Sequence, residues 1–321
     1  MGTRLTNPLI CIVGPTASGK TTLAQKIAER LGCGVLSADS MQVYRGMDIG
    51  TGKIPPEDRT VPYYGLDLVD PGDPFSASLY QEYGRRVVEE RDADRSTCVV
   101  CGGTGFYIRA LVDEFDFPRG EQVGNPVRDR YACMLDDKGP LAVWECLNVV
   151  DPDSAAIIPP NDSKRVIRAL EMYAEGVSYA LQREKFAHID QHYSPLCMIG
   201  LAVAADVLSR RIDARVERMF EQGLEDEVRS LIAGGYRNAI TASQAIGYKE
   251  VVSYFDGECS RDEAKSAVKH ATRQYAKRQR TWFRKDARIG WIDANDERVD
   301  SILDAAFSLM RDGLCEVPDV C

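Results

Sequence analysis

What this chain lacks narrows its function before what it contains does. No apolar run approaches the length needed to cross a bilayer as a helix. No low-complexity tract or internal repeat is present, which excludes a solenoid or a fibrous chain. A signal-peptide pattern is also missing, because a strand-like run begins almost at once, so a cytoplasmic location without membrane contact is expected. Histidine is scarce, at 3 in 321 residues. His188 and His192 stand four apart without the glutamate of a zinc-protease helix, so a solvated pair is expected there. The 10 cysteines include Cys98-Val99-Val100-Cys101, but that run is apolar and β-like and no second pair follows at zinc spacing. Scattered reduced thiols are the expectation. Net positive charge is lacking too: −9 overall excludes a surface coated for nucleic acid.

What is present is sharper. Leu9-Ile10-Cys11-Ile12-Val13 runs into Gly14-Pro15-Thr16-Ala17-Ser18-Gly19-Lys20-Thr21, the pattern G-x-x-x-x-G-K-[ST]. A segment with Leu23, Ala24, Ile27, Ala28 and Leu31 on one helical face follows. Strand, glycine loop and helix in that order make a phosphate-binding loop. Backbone N–H groups and the helix N-terminus would face phosphate oxygens. Lys20 would reach the outer phosphate, and the Thr21 hydroxyl would sit on Mg²⁺. The loop alone does not say that the ligand is ATP.

Strand-helix alternation predicts an α/β fold: a P-loop NTPase-like parallel sheet with flanking helices. Short strands are expected at 35–37, 98–101 and 198–203, and at Trp291-Ile292. Between about 117 and 194 the pattern turns helical, with stretches near 126–138, 140–148 and 163–175. The reading is a core of 1–117 and 195–321, a small all-helical insertion domain at 118–194, and a helical C-terminal region. Long helices are expected at 206–222, 224–233, 243–254 and 260–284, and a last one at 297–311.

Asp39 falls at the tip of the second strand, where a carboxylate can hold Mg²⁺ through water or take a proton from a nucleophile. The competing reading is an N-cap or turn Asp. The third strand lacks the terminal Asp of hydrolytic P-loop enzymes and ends in Gly102-Gly103-Thr104 instead. That favours transfer to a bound acceptor over NTP hydrolysis. Between Lys269 and Arg288 eight cations face one acid, Asp286, and the run from Thr272 to Arg284 interleaves them with Tyr275, Trp282 and Phe283. Cations neutralise phosphates and aromatic rings stack bases. A charged helix packed by its own aromatics is the competing reading.

At this point the chain resembles a known family, the tRNA dimethylallyltransferases (tRNA isopentenyltransferases) of bacterial type. The matching segments are GPTASGKT at 14–21, ADS at 38–40, YRGMDIGTGK at 44–53, GGTGFYIRAL at 102–111, NDSKRVIRALE at 161–171, RIDARVERMFEQGLEDEV at 211–228, QAIGYKE at 244–250 and TRQYAKRQRTWFRK at 272–285. The resemblance implies transfer of a dimethylallyl group from dimethylallyl diphosphate to N6 of adenine 37 in the tRNA anticodon loop, with Mg²⁺ and as a monomer. It implies Asp39 as general base, with Thr104, Lys20 and Arg215 in the catalytic set, Arg215 on the diphosphate. It implies tRNA contacts by Asp39-Ser40-Met41-Gln42, by Thr104 and Arg128, and by Lys164-Arg165-Val166-Ile167-Arg168. Further contacts are implied for Gln244-Ala245-Ile246-Gly247-Tyr248-Lys249 and for Lys277-Arg278-Gln279-Arg280-Thr281-Trp282-Phe283-Arg284. Gln244 stands where many bacterial members have Arg, and no C-terminal zinc finger follows. Two alternatives stay open: a small-molecule kinase, which does not need the basic helix, and an isopentenyltransferase acting on free AMP or ATP.

Overall fold

The computed structural model describes residues 2–117, 124–187, 189–296 and 298–312. In chain order its elements are β1 (Thr3–Val13), α1 (Lys20–Leu31), β2 (Gly34–Ser37), β3 (Tyr63–Tyr64), α2 (Ala77–Ala93), β4 (Cys98–Gly102), α3 (Gly105–Val112), α4 (Pro126–Val150), α5 (Pro152–Ile157), α6 (Ser163–Ala174), α7 (Tyr179–Ala187), β5 (Tyr193–Ala202), α8 (Ala205–Glu221), α9 (Leu224–Ala233), α10 (Tyr248–Phe255), α11 (Arg261–Phe283), β6 (Ile289–Asp293) and α12 (Val299–Asp312). His188, one of the two paired histidines, lies outside the described residues.

The strands form one sheet in the order β3-β2-β4-β1-β5-β6, and every pairing is parallel. β4 sits between β2 and β1, so all five of its residues are buried. Burial pushes the Cys98 thiol up to about 12 and the Cys101 thiol up to about 11, so neither forms a ready thiolate. Among the described residues no group of three or more His, Cys, Asp or Glu side chains could hold a metal ion. No helix among them is long and apolar enough to cross a membrane.

The chain divides into two compact units, residues 1–113 with 191–321, and Glu114–Asp190. The division falls at Asp113, where the sequence reading set 118, a position outside the described residues. Asp113 is 1% exposed, and its carboxylate takes Arg109 Nε at 2.7 Å and Arg288 Nη1 at 2.6 Å. The smaller unit is helical, with Val143, Leu147, Val166, Ala169 and Leu170 at its core. α4 is broken at Gly139 (φ 79°) before Pro140. The short helix α5 escapes a sequence reading because Asp151-Pro152 reads there as punctuation, and α7 (Tyr179–Ala187) is not among the expected helices. In the structure Asp151 caps α5, accepting from Ser154 N at 3.1 Å.

Two other elements differ from expectation. β3 is not among the expected strands, because two residues are too few to show a period of two. The helix expected from 243 starts at Tyr248, because Gly247 adopts φ 97° and a 3₁₀ turn occupies Ala242–Gln244.

Candidate active site

The phosphate loop joins β1 to α1. Gly19 ends it in the left-handed region (φ 90°) and leaves the first turn of α1 with no side-chain cap. Nearby, Ala17 holds φ 62°, a conformation that costs a non-glycine residue about 1 kcal/mol. Ser18 is buried, and its Oγ bonds nothing. Uncapped amides and an orphaned hydroxyl together suit an oxyanion. Ser18, Gly19, Lys20 and Thr21 line a cavity of about 550 Å³. Arg211, Arg215 and Arg218 from α8 line it too, with Leu23, Ile49, Leu201 and Met219 as apolar wall.

Charge in the site is cation-rich. Lys20 Nζ turns back to Pro15 O at 3.1 Å. Burial holds the Lys20 pKa below the ordinary lysine range, and Arg215 lowers it further, while Cys101 and Asp39 work the other way. Burial lowers Arg215 as well, against the pull of Asp39. Two desolvated cations near one carboxylate are under-compensated, and a bound polyanion relieves both. Arg215 Nη2 donates to Thr51 O at 3.0 Å. At Gly52 a Cβ would lie 2.2 Å from the same Nη2, so the 48–53 loop closes on Arg215 only with glycine there. Thr21 lines the cavity. A metal held beside a diphosphate would find the Thr21 hydroxyl among the oxygen donors of this lining.

Asp39 and Thr104 sit where β2 and β4 end. Gly102 pairs with Val13 in register, and a Cβ on it would lie 2.1 Å from Ala38 O, which explains the glycine. Thr104 Oγ1 accepts from Ser40 N at 3.0 Å and lies 3.3 Å from Ser40 Oγ. Asp39 Oδ1 accepts from Met41 N at 3.0 Å, so the turn role foreseen for it exists beside any chemical one. Its half-buried side chain is close enough to influence Lys20, Arg215 and Tyr275. Neither Asp39 nor Thr104 lines the cavity itself. Gln42 is tied to Ser37 Oγ at 2.8 Å.

On α11 the cations turn outward. Lys277, Arg278, Thr281 and Arg284 are exposed, and Trp282 is 42% exposed. Trp282 meets the exposed Phe106 edge to face, centroids 6.4 Å apart. Gln244 and Lys249 are also exposed. Ser40, Met41, Ile246 and Arg280 are half-buried, and several other side chains expected at the tRNA surface turn inward. Gln279 (5%) and Phe283 (2%) share the buried side of α11, while Ala245, Gly247 and Tyr248 pack under α10. Val166 and Ile167 belong to the core of the smaller unit, since α6 needs an apolar stripe to fold. In that unit Arg128 and Arg168 hold the buried Glu171, at 2.5 and 3.2 Å, while Lys164 and Arg165 are exposed.

Sequence reasoning missed Glu227. Its carboxylate accepts from the backbone N–H of Asp48 (3.1 Å), Ile49 (2.7 Å) and Gly50 (3.1 Å), and from the Tyr248 hydroxyl (2.6 Å). No local pattern announces a bond between residues almost 180 apart.

With this geometry, comparison with known proteins is decisive. The family model described as IPP transferase matches residues 42–286, and one described as isopentenyl transferase matches 8–60. The chain belongs to the IPP transferase family. A protein from Corynebacterium jeikeium named tRNA dimethylallyltransferase is 43% identical, over 89% of this chain and 91% of that one. The crystal structure of a tRNA isopentenylpyrophosphate transferase from Bacillus halodurans is similar, with TM-score 0.70 and 37% identity over 95% of this chain and 96% of that one. A eukaryotic dimethylallyltransferase, described as acting on tRNA, gives TM-score 0.79 and 25% identity over 96% of this chain and 79% of that one. The fold is that of the IPP transferases, and the sheet is their P-loop-like core.

Proposed function

We propose that this protein transfers the dimethylallyl group of dimethylallyl diphosphate to N6 of adenine 37 in tRNA. The observation that carries this reading is the pairing of a cation-rich phosphate cavity with the carboxylate of Asp39 at the neighbouring strand end. The donor's diphosphate would bind amides at the end of the loop that runs from Gly14 to Thr21, with Lys20 and Arg215 on its oxygens. The Thr21 hydroxyl would hold Mg²⁺, whose chemistry is to neutralise charge on the departing diphosphate.

An exocyclic adenine amine is a weak nucleophile, because its lone pair is delocalised into the ring. The N6–C1 bond forms as the C1–O bond to diphosphate breaks, and the N6 proton passes to Asp39. Orientation of two bound substrates can supply about 7–11 kcal/mol of the barrier. Lys20 and Arg215 stabilise charge that grows only in the transition state. The 277–284 face of α11, with the Phe106–Trp282 pair, would hold the anticodon loop while the base flips out.

Incubating the protein with donor, Mg²⁺ and either tRNA or free AMP tests this reading. Only tRNA should gain the prenyl group. Transfer to AMP alone would move the activity to a free nucleotide.

A further inference from the structure

One helix reaches both halves of the proposed reaction centre through a side chain that the basic face hides. Gln279 is 5% exposed. Its Oε1 accepts from Thr16 N, in the phosphate loop, at 2.8 Å. Its Nε2 donates to Gly103 O, in the turn that carries Thr104, at 2.9 Å. At Gly103 a Cβ would lie 2.2 Å from that Nε2, so the turn leaves the amide its place only by having no side chain. One helical turn earlier, the hydroxyl of Tyr275 interacts with Thr104 and Gln279. Burial and the charge of Asp39 push that hydroxyl up to about 12, so it stays protonated at working pH. Flanking residues of the same helix, Lys277, Arg278 and Arg284, are exposed.

We propose that Gln279 is a positioning residue that ties the tRNA-facing helix α11 to the donor's phosphate loop, so that tRNA on the outer face stiffens the loop from inside. This rests on the proposed function for the identity of the ligand on α11. A primary amide is the side chain suited to the task, since it accepts with one atom and donates with the next. Arg, Lys or Glu in its place could serve only one of the two backbone groups. The bridge fixes the Thr16 amide against the turn before Thr104, and so sets the spacing between donor loop and acceptor turn. A displacement of about 1 Å between positioned groups can cost about 10²-fold in rate.

The test is hydrogen exchange of the 14–18 segment, with and without unmodified tRNA and with no donor present. In the wild-type protein, tRNA should slow exchange there by about threefold or more. In Gln279→Met the free protein should exchange about tenfold faster at Thr16, as expected for one lost bond. In that variant tRNA should bind with affinity within about threefold of wild type, yet protect nothing in 14–18. Gly103→Ala displaces the same amide from the other side and should behave alike, which guards against one variant failing to fold. Single-turnover transfer at saturating substrates should drop at least about tenfold in both, with the donor Kd little changed. Equal loop protection in wild type and variants, or full transfer rate in Gln279→Met, would overturn the bridge. Absence of tRNA binding by the wild type would instead overturn the proposed function, and basal exchange at Thr16 would still decide the bridge.

Discussion

Replacing Glu227 with alanine should loosen the loop that closes over Arg215. The carboxylate serves three consecutive backbone N–H groups, of Asp48, Ile49 and Gly50, and the Tyr248 hydroxyl. Asp48 is exposed, so its amide regains water and costs little. Ile49 and Gly50 are half-buried and the Tyr248 side chain is fully buried, so those donors stay largely dry. At about 1–1.5 kcal/mol for each of the three dry groups, the loss is about 3–4.5 kcal/mol. A urea titration reads this as a lower midpoint at unchanged slope. The loop carries Thr51, whose carbonyl anchors Arg215, so inorganic pyrophosphate affinity should fall in step. Glu227→Gln keeps one acceptor oxygen and should lose about half as much stability. A loss below about 1 kcal/mol in Glu227→Ala, with pyrophosphate affinity intact, would refute the view that this carboxylate organises the loop.

Three further outcomes are expected. Asp39→Asn should lower kcat by about 10²–10⁴ with tRNA affinity little changed, measured by steady-state transfer and filter binding. Neutralising Lys277, Arg278 and Arg284 should weaken tRNA binding and reduce its salt slope by about 0.7–0.9 for each phosphate left without its cation, with the melting temperature steady. The Lys20 pKa is depressed by burial, so its charge is lost as pH rises through a value below the ordinary lysine range. Calorimetry should therefore show pyrophosphate affinity falling at a lower alkaline pH in the wild-type protein than the loss of an ordinary lysine would give, and Lys20→Arg should move that limit upward.

The parts legible in the sequence were those with local signatures. The glycine loop and the apolar β4 run each announce themselves within a few residues. The placement of Asp39 and Thr104 just past strands was legible because each follows an apolar β run. The direction in which a helical residue points was harder. Tyr275, Gln279 and Phe283 recur every four residues and mark the inner side of α11, but the density of cations around them hides the stripe. Val166 and Ile167 sit between exposed Arg165 and half-exposed Arg168, so a contiguous stretch was read as surface when the helix alternates faces. Glu227 and Gln279 act through backbone groups far away in sequence, and such bonds leave no spacing to detect.

The most direct test is mass spectrometry of nucleosides and oligonucleotides digested from unmodified tRNA after incubation with this protein, dimethylallyl diphosphate and Mg²⁺. The account predicts N6-isopentenyladenosine at adenine 37 and nowhere else, lost in Asp39→Asn. Unmodified tRNA recovered beside rapid ATP turnover would contradict it.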